Sequence, residues 1–205
     1  MRFSSLFLGV ALALLAPALR ATTVIPPSFP ELVAKAEAIY RGKVTAVEAR
    51  HVDRPDGSRV IKTFVTVAID KVLKGAAQGA ITLEFLGGRV GDDSLLITGM
   101  PKFTVGAEEF VFVQRNGVQF CPLVAVMHGR YRVLHDAAQG RDYVARDNRL
   151  PLTDLAEVGL PMTELPAQIR AATAASSVPR ALTPAAFEAG VASEVQRAVL
   201  RARQN

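Results

Sequence analysis

In 205 residues there is room for one domain and a short appendage, which excludes two full domains. Half of the residues are hydrophobic, enough to build a core, and the single cysteine, Cys121, excludes an internal disulfide. The 24 basic residues exceed the 19 acidic ones only mildly, which suits a soluble protein and falls short of the dense basic surface of a nucleic-acid binder.

The chain opens with Arg2, an apolar run from Leu6 to Leu15 and the small-residue site Ala16-Pro17-Ala18, the pattern of a secretory signal over residues 1–21. Cleavage after Ala18 and after Ala21 are both compatible with it. Pro17 and Arg20 end the run before the roughly 20 residues a membrane span needs. No later stretch is long enough to span, and no cysteine lies near the cleavage site to carry a lipid. The expectation is an exported chain, periplasmic or extracellular.

After Pro26-Pro27, the stretch "SFPELVAKAEAIYRG" predicts a short helix capped by Ser28, with Glu31 in its first turn and Leu32, Val33 and Ala36 on one apolar side. Gly42 marks a change to extended chain. "GKVTAVEAR" and "RVIKTFVTVAIDKVLKG" read as paired strands joined through Pro55-Asp56-Gly57. In the second, Ile61, Val65, Val67 and Ile69 share one face, opposite Lys62, Thr66 and Asp70, so one face is expected to be core. "AITLEFLGG" alternates in the same way. "EEFVFVQRNGVQF" places Asn116-Gly117 between apolar runs, a hairpin signal because both residues tolerate positive φ. "GRYRVLHDAAQGRDYVAR" predicts another hairpin turning at Gln139-Gly140. Six or seven short strands at this spacing predict a mainly β domain over 22–149, a small antiparallel barrel.

From Leu150 the composition turns to Pro, Ala, Ser and Thr, which reads as a linker over 150–182 holding a short helix capped by Thr163. A final amphipathic helix is expected over 183–205, with Thr183 as cap, Pro184 at its first position and Phe187, Val191, Val195 and Val199 at four-residue spacing. Glu188 early and Arg197, Arg201 and Arg203 late suit the helix dipole.

The succession of a helix, "AIYRGKVTAV", a long strand ending "VLKG", and Phe103, Gly106, Glu108 and Phe110 resembles the netrin-like fold, an OB-type barrel shared with the tissue inhibitors of metalloproteinases. The Gly87-Gly88 loop, the Gly99-Met100-Pro101 turn and "HGRYRV" from His128 are similar to an uncharacterised family of exported bacterial proteins of that organisation. The resemblance covers about residues 29 to 145. It implies an OB-type barrel with an N-terminal helix and a helical C-terminal extension. The animal inhibitors chelate zinc through a cysteine at the mature N-terminus, and no cysteine stands near Ala21-Thr22-Thr23, so that mechanism does not carry over.

The 17 residues "GGRVGDDSLLITGMPKF", Gly87 to Phe103, form a long glycine-punctuated loop, and loops of that length often carry function. Asp92 and Asp93 supply clustered oxygens of the kind calcium takes, without the spaced acidic ladder of such sites, and they suit turn capping better. Leu95, Leu96, Ile97 and Met100 must be buried on the barrel or offered to a partner. Cys121 with His128 or His135 raises a thiol nucleophile, but its place between an apolar strand and Pro122 suits a buried small hydrophobe. His51, His128 and His135 lack metal-ligand spacing, and no G-x-S-x-G, H-E-x-x-H or P-loop occurs. Phe64, Phe85, Phe110, Phe112 and Tyr131 fall within apolar strand patterns, which argues for core rather than base-stacking platforms.

These residues imply a non-catalytic exported module that recognises a protein or envelope component, with a secreted protease as one partner the resemblance suggests. No cofactor, metal or nucleic acid is expected. The binding residues expected are Asp92, Asp93, Leu95, Leu96 and Met100 in the loop and Phe187, Val191 and Val195 on the last helix, which would dock a partner or a second copy. The alternative is a secreted enzyme using Cys121 or the Asp92/Asp93 loop.

Overall fold

The structure, a computed structural model, describes residues 24–162 and 164–204; the signal reading and the Thr163 cap lie outside the described residues. Helix α1, Phe29–Lys35, starts where sequence places it: the Ser28 backbone N–H donates to Glu31 Oε2 at 2.8 Å, and Phe29, Leu32 and Val33 are buried. Two 16-residue strands follow, β1 (Ala38–Asp53) and β2 (Arg59–Lys74), antiparallel from Ile39 opposite Lys74 to Asp53 opposite Arg59. Strand β1 thus begins before Gly42, which lies inside it. A Cβ there would fall 2.1 Å from the Ala68 carbonyl oxygen, so the close approach of β2 needs glycine at that position.

The remaining strands are β3 (Ala80–Leu86), β4 (Gly88–Val90), β5 (Asp93–Leu95), β6 (Glu108–Val113), β7 (Arg130–Asp136) and β8 (Arg141–Arg146). Six form one antiparallel sheet in the order β3-β2-β1-β6-β7-β8, and β4 and β5 form a separate hairpin. The mainly β architecture follows from the alternation read in the sequence. Strands β3 and β8 end the sheet, and no strand pairing joins them among the described residues.

Alternation on β6 feeds two cores. Phe110 and Phe112 enter a helix-side cluster with Phe29, Leu32, Ile39, Tyr131 and Val144. Val111 and Val113 enter a second cluster with Tyr40, Val65, Leu83, Phe85 and Cys121. The helix-side cluster is closed by α3, Pro184–Gln204, whose Ala186 N–H bonds the Thr183 hydroxyl at 3.2 Å. Phe187 and Val191 are wholly buried and Val195 packs against the same cluster. The Phe187 ring centroid lies 4.9 Å from Phe110 and 5.0 Å from Tyr131. These three residues, expected as a docking stripe, are therefore core: the helix spends its apolar side on its own sheet.

That helix is clamped at its start by charge. Glu188 pairs with Arg41 at 2.8 Å and with Lys71, and Arg41 also pairs with Glu108. Burial alone would raise the Glu188 carboxyl, but hydrogen bonds from Lys71 and Arg41 carry it below its ordinary value.

Two further expectations change. Asn116-Gly117 does not form a tight two-residue turn: the chain after β6 reverses over a wider loop and returns at Leu123, which bridges antiparallel to Val113. The Asn116 amide instead binds the outer edge of β3, accepting from the Glu84 N–H at 3.0 Å and donating to the Thr82 carbonyl at 2.8 Å. The stretch 150–182, read as a linker, is a packed strap. Leu152 N–H donates to Val144 O at 2.9 Å, and Val144 N–H to Leu182 O at 2.8 Å, while Leu152 and Val158 are buried. Its Leu and Val side chains, diluted among small residues, supply the burial. The short helix within it, α2 (Ala167–Ser177), buries no residue.

A candidate ligand pocket under the Gly87 to Phe103 loop

Gly87 and Gly88 follow β3 with φ of +99° and +138°. A Cβ on Gly88 would meet Thr63 Oγ1 at 2.5 Å, so the pair lets the chain turn sharply against β2. The Thr63 hydroxyl then donates to the Gly87 carbonyl at 2.7 Å, and the Gly87 N–H to the Ile61 carbonyl at 2.8 Å. The β4–β5 hairpin turns at Gly91-Asp92, and the chain returns through Leu95–Phe103 toward β6.

The return is anchored at its far end by a buried charge pair. Arg130, with no exposed surface, donates to both oxygens of the equally buried Glu109 at 3.0 and 2.6 Å. The same guanidinium donates to the Lys102 carbonyl at 2.7 Å and to Asp147 at 2.9 Å. It lies 4.0 Å from the centre of the Phe103 ring, which itself packs 5.3 Å from Phe85. One arginine thus fixes two consecutive loop residues to the floor of the second core.

Between loop and strands lies a cavity of about 340 Å³, lined by Val47, Val65, Phe85, Leu95, Ile97 and Met100 among others. Thr63 and Lys102 are its only polar side chains, so the site is built to receive apolar matter. Leu96 stands at its rim, 80% exposed.

Of the residues expected to bind, Leu95, Leu96 and Met100 come together here. Asp92 and Asp93 are exposed on the hairpin, with Asp93 Oδ2 3.4 Å from His51 Nε2. Phe187, Val191 and Val195 lie in the helix-side core and take no part. No family model matches this sequence, and the search among curated proteins finds no relative.

Chemistry outside the pocket is sparse. Cys121 is buried in the second core, and burial pushes its thiol up to about 11, so the protonated form prevails near neutrality. His128 is buried too, its imidazole pushed down to about 4 by burial and by Arg146. His135 is exposed, 2.8 Å from Asp142. Among the described residues no hydrogen bond joins Cys121 to a histidine, and no three His, Cys, Asp or Glu side chains gather as a metal site. No described helix is long and apolar enough to cross a membrane.

Sequence reasoning missed Glu109, Arg130, Phe103 and Lys102. A signal was present: Glu109 directly precedes the apolar run Phe110–Val113 within one strand pattern, and Arg130 sits at the start of a strand rich in β-formers. A charge inside such a pattern is buried only with a partner.

Proposed function

We propose that this chain is an exported, non-catalytic binding module of OB-type, netrin-like organisation that recognises a protein or envelope component through the pocket under the Gly87 to Phe103 loop. The barrel part of the reading is supported by the second core, which β1, β2, β3 and β6 share, and by the Asn116 side chain and the Leu86–Phe120 backbone bond of 2.8 Å, which bring the end of β6 round to β3. The single observation that carries the binding part is the apolar cavity of about 340 Å³ with the exposed Leu96 at its rim. An exposed leucine beside an unfilled apolar pocket offers a partner side chain both a seat and a cover.

The test begins with crosslinking capture from the periplasm and culture medium of the host. The captured protein is then purified and titrated against wild type and Leu96→Asp. At least tenfold weaker binding by a variant that melts like wild type is expected. Equal affinity would remove the pocket from recognition, and a captured protease would direct an inhibition assay.

A further inference from the structure

The sheet treats its edges unequally. The outer edge of β3 is covered by Asn116 and Phe120, and that of β8 by Leu152 and Leu182. Strand β1 pairs with β6 only from Ala38 to Lys43, and its last bonds on that side join Val44 to Gly106 and Ala107. Beyond Val44, among the described residues, nothing pairs with that side of β1 through Asp53, and Thr45, Val47, Glu48 and Arg50 are exposed. An open backbone edge of this length is a template for another strand.

We propose that this edge pairs antiparallel with the same edge of a second copy, about a twofold axis at Ala49. The charge pattern selects this occupant. Val47, Ala49 and His51 face the loop: Val47 lines the pocket, Ala49 packs under Gly88, and His51 meets Asp93. Glu48 and Arg50 stand on the opposite face, where the Arg50 guanidinium rests 3.9 Å from the Phe64 ring centre and is held in place. A strand that complements them must offer a cation opposite Glu48 and an anion opposite Arg50. Antiparallel β1 does so, setting Glu48 of each copy against Arg50 of the other and Ala46 against Val52. Two cross-strand ion pairs and seven paired residues, 46–52, result. The dimer does not need the pocket to be occupied, so it stands or falls apart from the binding reading.

Sedimentation velocity on the exported full chain, over a concentration series, measures the association directly. Wild type is expected to shift to twice its mass, with weaker association at high salt. Glu48→Arg, which sets arginine against Arg50, should raise the dissociation constant at least tenfold while melting like wild type. The double exchange Glu48→Arg with Arg50→Glu should restore association, because the pairs re-form with their signs reversed. A wild type that stays monomeric across the series overturns the proposal, as does a folded double exchange that associates no better than Glu48→Arg. An edge that another protein occupies while wild type alone remains monomeric overturns it equally.

Discussion

On β6, Phe110 and Phe112 point into a core sealed by two helices, whereas Glu109 and Val111, one residue out of step, point into a core closed only by a loop. The helix side is an aromatic cluster around Phe187 with a helix laid across it, and its charges, such as Glu188 paired with Arg41, sit at the margin of that cluster. The loop side rests on a buried ion pair and opens at a pocket of about 340 Å³. The difference teaches how one strand serves two ends: the sealed face supplies stability, and the face closed by polar anchors leaves a concave surface free. A charge pair holds a loop by direction rather than by bulk, so the loop can be fixed without filling the space beneath it.

The sharpest way to break the comparison is Phe187→Ala. If the helix side carries the stability, removing a ring packed on Phe29, Phe110, Phe112 and Tyr131 should cost about 3–5 kcal/mol in urea unfolding. A cost near 1 kcal/mol would mean that α3 is a loosely held appendage.

Glu109→Ala probes the other face. It leaves Arg130 buried with only Asp147 as a charged partner, and about 3 kcal/mol should be lost. The distinguishing readout is local: proteolysis or amide exchange should rise at Lys102 and Phe103, which Arg130 holds, before it rises on α3. Uniform loosening of both faces would show that the loop is not anchored by this pair.

Much of this division was legible in the sequence, and the limits are instructive. Strand alternation at Ile61, Val65 and Val67, the Ser28 cap and the α3 stripe as far as Val195 each follow from local rules, and each holds, while Val199 at the end of that stripe is exposed. The destination of an apolar stripe does not follow from its spacing. Phe187, Val191 and Val195 look the same whether the helix covers its own sheet or another molecule, because periodicity names a face and not its partner. Asn116-Gly117 misled for a related reason: turn propensity is local, while the Asn116 amide is used by a strand more than 30 residues earlier. Within the site, Leu95, Leu96 and Met100 were recognisable as apolar residues in need of cover. The Arg130 anchor was not, since it joins positions that come together only once β6 and β7 pair.

The smallest expected effect concerns acid, and it tests whether a buried group outside both the aromatic cluster and the loop anchor adds a pH-dependent weakness. His128 is buried beside Arg146, and its imidazole is pushed down from an ordinary 6.5 to about 4. Above pH 6.5 it is neutral in both folded and unfolded chains and contributes no pH dependence. Between 6.5 and about 4 the unfolded chain takes up a proton that the folded chain refuses, so stability falls as pH falls across that window. The loss should reach roughly 2 kcal/mol between pH 7 and pH 4.5. His128→Gln removes the titrating ring, and the wild-type drop minus the variant drop in urea midpoint isolates its share from that of the carboxylates. Equal drops would mean that His128 meets solvent in the folded chain. A larger wild-type drop would place a pH-sensitive weakness at the buried imidazole beside Arg146, outside both the aromatic cluster and the loop anchor.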